Sequence, residues 1–206
     1  MGADALDELL AEAQRRRLLG PGDIAAHRRH AEGFAEVLEA CGGAGRVVDL
    51  GSGAGLPGLP LAMRLPSAEV VLVDRREART DWLRRAVGRL GLGDRVVVLT
   101  GDAASLGWTA PWHGWADAVV ARAFGAPGVV AEVARPFLVE GGLLVVSEPP
   151  DAAASRASVR GPSDALAELG FVRENVGAAG YAVCRVAGPS GAPRRTSSQI
   201  ERAPLF

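Results

Sequence analysis

Residues 46–60 read RVVDLGSGAGLPGLP. A β-branched run enters a loop with glycine at every second position, and prolines lead out of it. Glycine admits positive φ and carries no Cβ, so the backbone there can turn sharply and be approached closely. Pro57 suits the first helical position, and a helix starting there offers free N–H groups and a positive end to a carboxylate or phosphate. A strand, a glycine loop and a helix in that order open an α/β fold around a ligand site.

The spacing restricts the ligand. A dinucleotide fingerprint, G-x-G-x-x-G, would continue from Gly51 and Gly53 to a glycine at residue 56, where Leu56 stands. The third glycine is instead Gly55. No Gly-Lys-Ser/Thr follows, so the loop is not a P-loop.

Further short apolar runs recur at 70–73, 96–99, 118–121 and 143–146, with helical stretches at 57–65, 76–90 and 126–138 between them. Continuous apolar runs suit strands buried on both faces of a parallel sheet, and the alternation predicts βαβ units with right-handed crossovers. Residues 171–175 and 181–186 flank a turn containing Gly177 and Gly180, which predicts an antiparallel pair closing the sheet. The predicted fold is α/β and Rossmann-like, a mostly parallel seven-stranded sheet with helices on both faces.

Before the loop, Leu6, Leu9, Leu10 and Ala13 have helical spacing, and Gly20-Pro21-Gly22 ends that helix. A second helix over about 23–40 carries Phe34, Val37 and Leu38 and stops at Gly42-Gly43. The expected organisation is an N-terminal helical extension (1–43), a ligand-binding domain (44–187) and an Arg/Pro-rich tail (188–206). The tail is expected to be loose unless it docks.

At 206 residues, 48% hydrophobic and 23% charged, the chain suits one domain and is neither disordered nor membrane-like. The net charge of -1 gives no global nucleic-acid signature. Every one of the 23 basic residues is Arg, with pairs at 28–29, 75–76, 84–85 and 194–195 and a run at 15–17. Such clusters are solvated faces, or a phosphate footprint if they converge. Cys41 and Cys184 have no CxxC spacing, which argues against a zinc site or a disulfide scaffold and for a reducing cytoplasm. The first 17 residues carry early acids and no apolar core, so no signal peptide is expected within them.

The pattern D-x-G-x-G-x-G over Asp49, Gly51, Gly53 and Gly55 resembles the first motif of Rossmann-like methyltransferases that bind S-adenosylmethionine. The longer string is more particular. DLGSGAGLPGLPLA, then VLVDRREARTDWLRR, then ARAF resemble the glucose-inhibited division protein B family, whose members methylate N7 of a guanine in small-subunit (16S) ribosomal RNA. The resemblance spans about residues 20–150, with an echo in the RAPLF ending. It implies a class I methyltransferase fold, S-adenosylmethionine as cofactor, and ribosomal RNA or the small ribosomal subunit as partner. It also implies cofactor contacts at Gly51 and Leu56, at Ala103 and Ala104, and at Arg122 in ARAF, with Arg122 as a positioning residue.

Other acids fit the same cofactor. Asp74 ends the second predicted strand, about 20 residues past the loop, where an acid takes ribose hydroxyls; the alternative is a helix cap. Asp102 follows the third strand, near where adenine lies in that class, with capping again the alternative. Asp49 could meet the methionine ammonium, directly or through water.

Methyl transfer to guanine N7 displaces a sulfonium leaving group and removes no proton, so it needs positioning and no general base. An oxygen acceptor would want one, and His113 or Glu148 would be the candidates. His113 lies between Trp112 and Trp115, aromatics that could stack a base or cover the sheet. His27 and His30 are expected on a helix surface. The sequence also departs from the family pattern. Ala104 stands where an acid is usual, Ser147-Glu148-Pro149-Pro150 stands where Lys-Gly is usual, and the family's Asn-Leu-Thr segment is absent before the loop. These departures keep two alternatives open: a small-molecule methyltransferase, or a noncatalytic relative that binds the cofactor.

Overall fold

The computed structural model describes residues 2–148, 163–176, 180–190 and 195–203. Pro149-Pro150, the turn at Gly177, Arg194 and the final Pro204-Leu205-Phe206 lie outside the described residues. The elements are α1 (Gly2–Arg15), α2 (Ile24–Ala40), β1 (Arg46–Leu50), α3 (Gly58–Arg64), β2 (Glu69–Asp74), α4 (Glu77–Arg89), β3 (Val96–Thr100), α5 (Ala103–Leu106), β4 (Ala116–Ala121) and α6 (Pro127–Ala134). They continue as β5 (Leu138–Ser147), α7 (Ser163–Glu168), β6 (Phe171–Glu174), β7 (Tyr181–Val186) and α8 (Ser197–Arg202).

The seven strands form one sheet in the order β3-β2-β1-β4-β5-β7-β6. The first five are parallel; β7 inserts antiparallel between β5 and β6. Strand order reverses between β1 and β4, and an α/β sheet opens a crevice at the carboxyl ends of strands at such a point. The glycine loop after β1 and the ARAF segment after β4 therefore face each other across it.

Alternate side chains on each strand feed two cores, because strand residues point to opposite faces in turn. Val47, Val70, Leu72, Val120 and Val145 pack with α1–α4 through Leu9, Leu10, Phe34, Leu38, Leu59 and Leu83. Val48, Leu50, Val71, Val73, Val119 and Leu144 pack with Val130, Phe137, Leu166, Phe171 and Ile200 on the other face. The N-terminal helices thus share one core with the sheet.

One expectation needed correction. The helix expected over 126–138 ends at Ala134 and is followed by a 3-10 turn, Arg135–Phe137, where Pro136 removes an N–H. The tail, expected to be loose unless it docks, docks over 195–203. Thr196 and Gln199 form a capping box that starts α8, and Ile200 is buried in the second core. Arg195 pairs with the buried Glu132 of α6, fastening the helix to the sheet's face.

Candidate active site

Asp49 is the penultimate residue of β1 and is fully buried. Its Oδ2 accepts the N–H of Gly58 at 3.0 Å, nine residues on, so the acid holds the start of α3 against the strand. Oδ1 is buried with no hydrogen-bond partner. Burial pushes this carboxyl up to about 7, with Ser52 and the Gly58 N–H pulling the other way. A buried acceptor left without a donor costs free energy, which a cationic ligand group would recover.

The glycines serve the protein's own packing more than the loop pattern suggested. A Cβ on Gly51 would stand 2.7 Å from the Phe124 ring, and one on Gly58 would meet Leu72 and stand 2.6 Å from Asp49 Oδ2. Gly55 lies under Leu59. Around Gly53, at φ 55°, a Cβ would meet nothing closer than 3.6 Å. The free α3 N-terminus expected from sequence is also corrected: Asp49 takes the Gly58 N–H, and Gly55 takes that of Leu59.

Asp74, at the end of β2, lies 3% exposed. Its Oδ2 accepts from Gly53 N–H (3.1 Å) and Arg79 Nη1 (3.2 Å), and its Oδ1 from Arg76 N–H (2.9 Å). It thus braces the glycine loop and the entry to α4. Asp102 caps α5, accepting from Ser105 N–H and Oγ.

A cleft of about 470 Å³, within the range of small-ligand sites, opens over these strand ends. Gly51, Asp74, Asp102, Ala103 and Ala104 line it, as do Phe124 and the docked Ile200 and Glu201. Glu201 also meets Arg75 at 3.5 Å. Asp49, Gly53, Gly55 and Leu56 are not among its lining residues; the Leu56 side chain is turned into the first core, leaving its backbone for any ligand contact.

Arg122 follows β4, and Ala123 beside it has φ 51°, a conformation uncommon outside glycine. That backbone twist sits between two side chains that serve different clefts. Phe124 covers Gly51. Arg122 enters a second cleft of about 450 Å³, lined by Gly22, Asp23, His27, His30, Ser147 and Glu148 among others. Ala123 borders both clefts. Arg122 Nη2 donates to His27 Nδ1 at 2.8 Å, while its Nη1 is buried without a partner. Burial lowers the Arg122 pKa, and the Asp49 carboxylate and Tyr181 partly restore it.

The histidines of α2 are part-exposed as a helix surface would have them, but both also line the second cleft, which the sequence did not indicate. His30 stacks on Tyr181 at 5.7 Å, and the Tyr181 hydroxyl donates to His30 O at 2.6 Å. Burial, with Arg122 and His27 adding to it, holds the His30 pKa below its ordinary value. Nothing in the sequence tied residue 27 to residue 122. His113 borders neither cleft: it stacks on Trp108 and bonds Gly107 O, while Trp112 and Trp115 cover the second core.

The fold and this crevice define a Rossmann-like protein with the class I methyltransferase architecture. In structure the chain is similar to an O-methyltransferase from Bacillus cereus in complex with SAH, with TM-score 0.64 and 18% identity over 90% of this chain and 91% of that one. The family model described as rRNA small subunit methyltransferase G matches residues 5–152, and the chain belongs to that family. Its relatives include the Ribosomal RNA small subunit methyltransferase G of Mycobacterium leprae (strain TN), 40% identical over 143 residues, which are 68% of this chain and 56% of the relative. The counterpart from Frankia alni is 34% identical over 212 residues, 98% of this chain and 76% of the relative. The match thus spans little more than half of the first relative's length.

Proposed function

We propose that the protein binds S-adenosylmethionine and methylates N7 of a guanine in 16S ribosomal RNA, as a cytoplasmic enzyme. One observation carries the cofactor reading: Asp49 Oδ1, an acceptor, and Arg122 Nη1, a donor, are both buried and unpartnered beside the crevice. A zwitterionic amino-acid end satisfies both, ammonium to Asp49 and carboxylate to Arg122. The cleft lined by Asp74, Asp102, Ala103 and Ala104 suits the nucleoside end. There Ile200 and Phe124 supply apolar surface for a base, and the Asp74 carboxylate stands by for ribose hydroxyls.

When bound, S-adenosylmethionine supplies an electrophilic methyl group on a positively charged sulfur. The chain's own task is to orient and exclude. Phe124 over Gly51 shields the crevice from one side. Arg122 fixes the amino-acid end from the other, leaving the second cleft for the acceptor. Guanine N7 attacks with a free lone pair and loses no proton, so a site without a dedicated base is sufficient.

Glu148 in the second cleft favours a second reading, a small-molecule acceptor, since an acid there repels RNA phosphates. Labelled cofactor incubated with unmodified small ribosomal subunits, and separately with a metabolite extract, distinguishes the two. Label in 16S RNA is the expected result. Label only in metabolites would move the assignment to the second reading.

A further inference from the structure

The His27–Arg122 contact has a direction that chemistry fixes. Arg has donors and no acceptor, so His27 Nδ1 must accept and the imidazole must be neutral at that nitrogen. The proton of the neutral ring then sits on Nε2, which faces Pro21 O at 3.2 Å. The loop that presents this carbonyl is held in turn by Gln14 of α1, whose Nε2 donates to Gly20 O and Gly22 O, each at 2.9 Å. Gly22, at φ 131°, lacks the Cβ that would stand 3.1 Å from His27 Nε2. Asp23 caps α2 through Ala25 and Ala26 N–H groups and so fixes the first turn from which His27 projects.

We propose that His27 is a positioning residue for Arg122: by taking Nη2, it turns Nη1 toward the carboxylate of the cofactor's amino-acid end. This rests on the cofactor reading above. A guanidinium on a flexible stem loses rotamer freedom when it binds; a partner that fixes it beforehand removes part of that cost. The line from α1 through Gln14, the loop at 20–22 and His27 gives the N-terminal helices a part in holding the cofactor. Among the described residues Arg122 forms no salt bridge; the Asp49 carboxylate acts on it only through space, and Nη1 stays without a hydrogen-bond partner.

The test uses three variants and two ligands. Asn places a carbonyl acceptor near where Nδ1 stands, Gln places one nearer Nε2, and Leu has none. S-adenosylhomocysteine carries the amino-acid end, whereas 5′-methylthioadenosine lacks it. Calorimetry of the full chain should show His27→Leu and His27→Gln weakening S-adenosylhomocysteine about tenfold or more, with His27→Asn near the parent protein. Methylthioadenosine should bind all four proteins alike. Equal losses for both ligands, no loss in any variant, or Asn as poor as Gln would each overturn the positioning role. If His27→Leu fails to fold, the Asn and Gln pair still decides. Failure of the parent protein to bind either ligand would instead remove the cofactor reading itself.

Discussion

Asp49 Oδ2 accepts the Gly58 N–H at 3.0 Å while its Oδ1, in the same buried carboxyl, has no partner. One oxygen builds the loop; the other is the acceptor that the proposed ammonium would take. Under that proposal the group is structural and functional at once, and the two roles pull its charge in opposite directions.

Stability should depend on pH through this residue. Its folded pKa, about 7, is raised above the ordinary 3.8 by burial. Its stabilising contribution is therefore complete below pH ~4 and is lost as pH rises to about 7. Asp49→Asn removes the charge and keeps an acceptor for Gly58. Chemical denaturation at pH 8 should show the variant more stable by on the order of 2 kcal/mol, at ~1.4 kcal/mol per pH unit less the cost of a new unpaired N–H. Near pH 4 the gain should vanish. S-adenosylhomocysteine binding by the variant should fall at least tenfold.

Affinity for S-adenosylhomocysteine should also titrate. An ammonium pairs with ionised Asp49, so binding should weaken up to tenfold per unit as pH falls below about 7. It should weaken again at alkaline pH, where the ligand's amino-acid ammonium loses its proton. Titrations carried from acid well into the alkaline range should give a bell. In Asp49→Asn the acidic limb should flatten.

The glycines should separate by role. Gly58→Ala forces a Cβ against Leu72 and Asp49 and should cost at least ~1–3 kcal/mol in thermal or chemical unfolding, the usual range for overpacking. Gly53→Ala meets only ordinary contacts, 3.6 Å from Gly51 O, and pays for its left-handed backbone, about 1–2 kcal/mol. If ligand approach were the only reason for glycine at Gly58, its replacement would leave the free protein's stability unchanged.

The C-terminal helix should matter to both stability and binding. Arg195→Met leaves Glu132, 7% exposed, without its cation. Breaking a buried pair in this way costs about 3–5 kcal/mol, and the partial exposure of Arg195 lowers that to roughly 2–3. Because Ile200 and Glu201 line the larger cleft, methylthioadenosine affinity should fall as well. Unchanged affinity would show that α8 braces the fold without shaping the nucleoside end.

The parallel strands were legible because residues buried on both faces must be continuously apolar, as in Val70–Leu72 and Val119–Val120. The glycine loop was legible as a motif but not in its detail. Sequence cannot show that Phe124, Leu59 and Leu72 occupy the space that Gly51, Gly55 and Gly58 leave. α8 was missed because its six residues carry a single large apolar side chain, Ile200, although Thr196 and Gln199 have capping-box spacing. The His27–Arg122 contact joins residues 95 apart and depends on how α2 lies against the sheet, which no local pattern encodes.

A crystal structure of the complex with S-adenosylhomocysteine tests the central claim most directly. The ligand's ammonium is expected on Asp49 Oδ1, its carboxylate on Arg122 Nη1, and its adenine between Ala103–Ala104 and Ile200. An amino-acid end bound elsewhere, with Asp49 Oδ1 and Arg122 Nη1 still unpartnered, would contradict it.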